Sequence, residues 1–364
     1  MPTELNDLFT FPIVQAPMAG GASCPQLAAG VLEGGGLAFL AAGYKTPEAM
    51  YEEIRQLRAV TDRPFGVNLF MPQPPSPPDP AQIEAYAEQL AGEAEWYGTA
   101  LGDAEAGTDD AFDAKVAILL DEPVALVSFT FGCPKAAVLD AFARAGTYTV
   151  VTVTNVVEAR RAQAAGADAV CVQGVEAGGH QGGFRNDPRD DYVGRGLLTL
   201  LAEVLEAVDV PVIAAGGLMR GGQIAAVLSA GAAAAQLGTA FLVCPESGAN
   251  ALHKRAVTGG VFTRTELTRA FSGRPARGLV NRFVREHGPY APAAYPQVHH
   301  LTSPLRAAAA RVGDPQGMAL WAGQGYRLAR ELPAAELVEV LARELADALS
   351  GTTKPTGDAS GGLL

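Results

Sequence analysis

The 364-residue chain predicts an α/β fold, a (β/α)8 TIM barrel with an appended C-terminal helical subdomain. Two features carry that reading. Eight short apolar runs alternate with Ala-rich amphipathic segments, as parallel strands alternate with the helices that cover them. Glycines, carboxamides and one histidine then gather just past the C-terminal ends of those runs, on the rim where the loops of a barrel converge. A doubly wound open sheet would share the local alternation; eight units are the number that closes a barrel.

Strands are expected at 13–16, 37–40, 65–69, 125–129, 149–153, 169–173, 212–215 and 234–237. Each is dominated by apolar residues, many β-branched, and is too short to make a helix. Helices are expected between them, at 47–59 behind a Thr46 cap, 135–145, 156–165, 197–208 and 221–230. The spacing breaks after the third run, where "MPQPPSPPDP" (71–80) opens an insertion reaching to about residue 120. Its prolines read as a stiff polyproline II connector with no chemistry of its own. The barrel is thereby placed at 1–245. Residues 246–349 are too many for one closing helix and read as a helical subdomain over the barrel mouth, with 350–364 as a disordered tail.

A formal charge of −12 argues against nucleic acid and anionic membrane as partners, since both need a basic face, and favours a small-molecule ligand. No signal peptide is expected from the acidic N-terminus. The charge-free stretches 9–32 and 221–245 are broken by proline or glycine, so no membrane span is expected either. Cys24, Cys133, Cys171 and Cys244 show no CxxC or zinc spacing and read as buried thiols in a reducing compartment, which implies a cytoplasmic address. No metal site is expected, because His253, His287, His299 and His300 lack ligand spacing and read as surface or loop residues. Nothing in the sequence sets an oligomeric state.

The strand ends hold the chemistry. The first run ends in "QAPMAGG", the third in "VNLF", the fourth in "SFTFG", the sixth in "QGVEAGGHQGG", the seventh in "AAGGLMRGG" and the eighth in "QLGTAF". Gly216-Gly217 and Gly238-Thr239 follow the seventh and eighth runs, where barrels commonly hold a phosphate on free main-chain N–H groups. A phosphorylated cofactor is the expected ligand. Asn68 and Gln173 offer donor and acceptor together, which suits the edge of a heterocycle such as isoalloxazine or nicotinamide. His180 stands among five nearby glycines with little to pack against, so its ring is expected to face a ligand. Glu176 either orients that ring or faces solvent.

Taken in order, "PIVQAPMAGG", "GVNLF", "VSFTFG", "VQGVEAGGHQGG", "PVIAAGGLMRGG", "QLGTAFL", "TRAFSGRPARGLVNRF" and "LWAGQG" resemble the class I nitronate monooxygenases, formerly called 2-nitropropane dioxygenases. The resemblance runs from about Pro12 to Leu345. It implies an FMN-dependent barrel that uses O2 to oxidise alkyl nitronates, notably propionate 3-nitronate, to a carbonyl compound and nitrite without a nicotinamide. By motif, Asn68, Gln173, Gly178, Gly216, Gly217 and Gln236-Leu237-Gly238-Thr239 correspond to FMN contacts, and Ala16, Pro17 and Met18 to the loop beside the isoalloxazine ring. His180 corresponds to the active-site histidine, which positions the nitronate and could take a carbon proton from a neutral nitroalkane. Gln181 stands where the family often has arginine. Tyr290, Tyr295 and Tyr326 are candidates for the substrate wall. The alternatives are an FMN-dependent enoyl-ACP reductase or NADH:quinone reductase on the same barrel, and a non-catalytic flavin- or phosphate-binding barrel.

Overall fold

The computed structural model describes residues 4–73, 79–107, 109–187 and 194–351; the prolines at 74–78 and the tail from 352 lie outside the described residues. Eight parallel strands close a barrel: β1 (Ile13–Gln15), β2 (Leu37–Ala41), β3 (Gly66–Phe70), β4 (Leu126–Thr130), β5 (Tyr148–Val153), β6 (Ala169–Gln173), β8 (Val212–Ala215) and β9 (Ala234–Leu237). The last pairs with the first, Ile13 opposite Ala235. All eight lie where the apolar runs place them, to within one residue at either end. Two residues, β7 (Gly179–His180), leave the barrel after β6 to join a small antiparallel sheet with β10 (Thr265–Thr268) and β11 (Ala276–Leu279), in the order β10-β11-β7.

The runs are almost wholly apolar because the strands are buried on both faces. Val14, Phe39, Leu126, Val150, Cys171 and Ile213 fill the floor of the lumen, and Leu5 and Leu8 pack against this cluster from the N-terminal turn. Gly66 makes room for that filling: a Cβ there would stand 2.2 Å from the Phe39 ring. The outward side chains, Val67, Leu69, Val127, Phe129 and Val151 among them, meet the helical layer.

The segment 246–349 differs from the expected helical subdomain in two ways. It contributes β10 and β11, so it is part sheet. Its last helix, Ala334–Leu349, packs in the barrel's outer layer against the helices Pro25–Glu33 and Gly221–Ser229. Glycines let those backbones meet, since a Cβ on Gly34 would lie 2.8 Å from the Ala335 carbonyl and one on Gly221 2.3 Å from Glu344 Cβ. The remainder roofs the mouth around its own apolar cluster, in which the Phe271 and Phe283 rings stack at 4.5 Å.

The insertion forms three helices: Pro80–Gln89 and Ala91–Tyr97 fasten to this roof, while Phe112–Asp121 packs in the barrel's outer layer beside Pro47–Arg58. The Tyr86 hydroxyl donates to the Ala270 carbonyl at 2.7 Å, and Arg282 grips Glu93 with both guanidinium nitrogens. His287 is buried beside the same carboxylate, Nε2 to Oε1 3.2 Å, and is not the surface residue its sequence context suggests. Glu93, Glu286 and His287 converge closely enough to hold an ion, but Arg282 already pairs with both carboxylates. Among the described residues no helix is long and apolar enough to cross a membrane. Cys171 and Cys244 are buried; Cys24 and Cys133 are half-buried, and all four are free thiols.

Candidate active site

A cavity of about 360 Å³ opens between the C-terminal ends of the barrel strands and the roof. Its wall includes Ala16, Pro17, Met18, Asn68, Gln173, Gly178, His180, Gly216, Gly217, Gln236, Leu237, Gly238 and Thr239, while Glu176 and Gln181 are not on it. The structure brings together positions up to 223 residues apart in the chain because parallel strands all deliver their loops to one rim.

Each loop is held from beneath. The Gln15 amide, fully buried in β1, donates to Ser23 Oγ at 2.9 Å and accepts from the Phe39 N–H, and Ser23 Oγ accepts from the Met18 N–H at 2.8 Å. The loop of Ala16, Pro17 and Met18 is thereby fixed along one edge of the cavity. Asn68 Nδ2 donates to Ser128 Oγ and Thr130 Oγ1 at 2.9 and 3.0 Å, which leaves Oδ1 for a ligand. Gln173, also on the cavity wall, braces a neighbouring loop. Its Nε2 donates to the His180 carbonyl at 3.0 Å and its Oε1 accepts from the Gly182 N–H at 2.6 Å, so both ends of the amide brace the loop that carries His180.

The glycines divide by what requires them. A Cβ on Gly178 would lie 2.5 Å from the Gly323 nitrogen, while Gly216 and Gly217 have φ of +135° and +68°, a region that disfavours any side chain. Gly238 has an ordinary φ of −104°, and the nearest atom to a Cβ there is Ala16 Cβ at 3.6 Å. Backbone geometry needs the first three; at Gly238 the missing side chain only keeps space open. Among the described residues the N–H groups of Gly217, Gly238 and Thr239 have no acceptor in the protein. They form an anion-receptive stretch of the cavity wall.

His180 stands on the same wall, held by other elements. Its place in β7 is set by pairing with Ala276 of β11, a strand from the roof. The loop glycines suggest an unsupported ring, but the imidazole sits among Phe131, Tyr295 and Trp321, with ring centroids 5.7, 5.8 and 5.5 Å away. Nε2 lies 2.8 Å from Ser272 Oγ, and Nδ1 has no partner among the described residues. Burial, reinforced by the positive charges of Arg274 and Arg306, pushes the His180 pKa down to about 3, so the ring is neutral near pH 7. Glu176 neither orients the ring nor faces solvent freely: its carboxylate accepts the Leu197 N–H at 3.0 Å and caps the following helix.

Several wall residues escaped the sequence reading. Tyr44, with a strained φ of +66°, stacks on His299 at 4.1 Å, and its hydroxyl accepts from Tyr295 at 3.1 Å. The later part of the insertion holds Tyr44 in place: the Tyr44 N–H donates to Asp110, which pairs with the buried Lys115 at 2.8 Å. His299 and His253 line the cavity and are not surface residues; His253 Nε2 lies 2.9 Å from the Trp321 carbonyl. His300 is half-buried as well, with Nε2 3.1 Å from the Gly107 carbonyl, and lies in the helix Gln297–Arg311, so none of the four stands in a loop. Of the three candidate tyrosines, Tyr295 packs against His180, Tyr326 is buried with its hydroxyl on the Phe262 carbonyl, and Tyr290 is exposed. The helical spacing of His299, Thr302 and Arg306 was the available signal, since i, i+3 and i+7 mark one helix face.

The family model for nitronate monooxygenase matches residues 3–344. The chain belongs to the nitronate monooxygenase family. It is an oxidoreductase, and its relatives cover nearly its whole length. A nitronate monooxygenase from Paraburkholderia phytofirmans is 43% identical over 348 residues, 92% of each chain. The crystal structure of nitroalkane oxidase from Streptomyces ansochromogenes is 67% identical, with a TM-score of 0.93 over 96% of this chain and 99% of that one. The structure of FabK from Thermotoga maritima is more distant, at 27% identity and a TM-score of 0.73 over 94% of this chain and 95% of that one.

The three cavity histidines of this nitronate monooxygenase family member should make it acid-labile. Burial lowers His180, His253 and His299 to about 3, 4 and 2, with Arg306 adding to the effect at His180 and His299. Unfolded, each returns to about 6.5, so the unfolded chain binds more protons below that pH. Their contribution is therefore complete above pH 6.5 and is lost as pH falls, by roughly 2 kcal/mol per histidine between pH 7 and 5. Urea unfolding at both pH values checks this. His253→Gln should show a shallower acid loss; an unchanged slope would rule out the buried neutral state of His253.

Proposed function

We propose that the cavity binds one FMN and that the enzyme oxidises alkyl nitronates with O2 to a carbonyl compound and nitrite. The observation that carries this reading is that one cavity wall holds both main-chain N–H groups without an acceptor among the described residues and a neutral imidazole with an open nitrogen. The N–H groups of Gly217, Gly238 and Thr239 suit a single terminal phosphate, which they would hold. Asn68 Oδ1 and Gln236 are placed to meet a heterocycle edge, beside the fixed loop of Ala16, Pro17 and Met18. FMN, when bound, supplies the redox centre at which electrons pass from the nitronate toward O2.

The chain's own part is to receive the anion and control protons. The Ser272 hydroxyl faces both His180 Nε2 at 2.8 Å and the Arg274 carbonyl at 3.2 Å, and it can donate to only one of them. Donating to Arg274, it leaves the imidazole proton on Nε2 and a lone pair on Nδ1, able to take a carbon proton. Turned to Nε2, it places the proton on Nδ1, which then donates to a nitronate oxygen. A nitronate is already deprotonated, so the second arrangement serves it. Phe131, Tyr295 and Trp321 exclude water around the ring.

Electron source separates this reaction from the reductases. Air-saturated protein and propionate 3-nitronate should consume O2 and release nitrite, and NADH or NADPH should leave the rate unchanged. Without O2 the nitronate alone should alter the flavin absorbance. Flavin bleaching by a pyridine nucleotide, with no response to the nitronate, would instead establish an enoyl or quinone reductase on the same barrel.

A further inference from the structure

We infer that Arg306 is the charged anchor that makes the cavity select anionic nitronates over neutral nitroalkanes, an inference that rests on the nitronate reaction proposed above. Among the described residues the cavity wall contains no aspartate, glutamate or lysine, and Arg306 is its one arginine. In a chain of net charge −12, an arginine at the site with no carboxylate against it is unusual company for a ligand. Its Nε donates to Thr302 Oγ1 at 3.2 Å and its Nη2 to the His299 carbonyl at 2.9 Å, while Nη1 has no partner among the described residues. Arg274, the other nearby cation, is already committed: it donates to Gln73 and to the carbonyls of Gln181 and Gly183, and it stacks over Phe131 at 4.2 Å.

The neighbours of Arg306 complete a wall of donors. Nη2 also lies 3.4 Å from His299 Nδ1. A guanidinium only donates, so Nδ1 is the acceptor and His299 carries its proton on Nε2, free to donate. Tyr44 Oη accepts from Tyr295, so its own hydroxyl hydrogen is also free. These groups supply positive charge and hydrogen-bond donors without a negative partner. His180, neutral, cannot balance the charge of a nitronate; Arg306 can, and it remains a cation near pH 7 because burial lowers its pKa only to about 10. A neutral nitroalkane gains far less from such a wall, because a hydrogen bond to an ionised acceptor is about twice as strong as one to a neutral group.

The test compares wild type, Arg306→Gln and Arg306→Lys, each with bound flavin. Nitrate, a planar anion of similar head-group shape, serves as an unreactive probe, read by calorimetry and by perturbation of the flavin absorbance. Nitrate should compete with ethyl nitronate in the wild type. Arg306→Gln should weaken nitrate binding and raise the nitronate KM by about 10- to 100-fold with flavin content unchanged, and should affect neutral nitroethane less. Arg306→Lys should recover part of both. Unchanged nitrate affinity and nitronate KM in Arg306→Gln would overturn the inference, as would nitrate that fails to compete in the wild type. Should Arg306→Gln misfold, the lysine variant and the wild-type competition still decide. Absence of any nitronate turnover in the wild type would remove the proposed reaction, yet the nitrate titrations would still report whether Arg306 receives anions.

Discussion

Gly238→Leu is expected to fold as a barrel and bind FMN at least about 100-fold more weakly than the wild type. The expectation rests on how this glycine differs from its neighbours. At Gly216 and Gly217 a side chain would strain the backbone, so loss of ligand there would be confounded with loss of fold. At Gly238 the φ is −104° and a Cβ has no neighbour nearer than 3.6 Å, so the leucine has only the cavity to enter. It would lie over the unpaired N–H groups of Gly238 and Thr239, where we place the phosphate. Far-UV circular dichroism and the thermal midpoint should stay close to wild type, while acid extraction yields little flavin. Full FMN occupancy in a folded Gly238→Leu protein would move the phosphate elsewhere. Recovery of FAD from the wild type would contradict a single-phosphate site.

The barrel could be read from sequence because burial on both strand faces writes continuous apolar runs, such as "AVCVQ", which ends in a carboxamide, and "VIAA", which runs into glycine. The rim residues were readable for the same reason. The roof was not. In β11 the sequence "ARGL" carries a buried Arg277, whose Nε donates to the Val175 carbonyl at 2.8 Å, so a core strand reads as a polar loop. Tyr44 is held by Asp110, 66 residues away, in a conformation that no local pattern announces. His299 and Arg306 hid in plain helical spacing, because a polar face normally signals solvent and here lines a cavity. The glycines around His180 suggest a ring without support, yet the aromatic rings that hold it come from the β4 loop and the roof.

His180→Ala should retain FMN and lose most nitronate turnover, with kcat/KM lower by about 100-fold or more. The ring stands where we propose the nitronate binds and, among the described residues, makes no bond to the loops of Gly216 and Gly238, so flavin content should not follow activity. His180→Asn separates the two uses of the imidazole, since an amide nitrogen can stand near the position of Nδ1 and donate, but an amide is no base. If Nδ1–H holds the nitronate, asparagine should restore a substantial part of nitronate turnover and little of the turnover of neutral nitroethane, whose carbon proton still has to be removed. Equal losses on both substrates in both variants would favour a role in packing the Phe131, Tyr295 and Trp321 rings. Loss of flavin together with activity would place the histidine in the structural frame of the cavity. The low pKa makes the same distinction by another route. A ring that is neutral from pH 5 to 8 gives the free wild-type enzyme no titration near 6.5, so nitronate kcat/KM should be flat there. An inflection near 6.5 that disappears in His180→Asn would show that the imidazole is far better solvated than its aromatic surroundings allow.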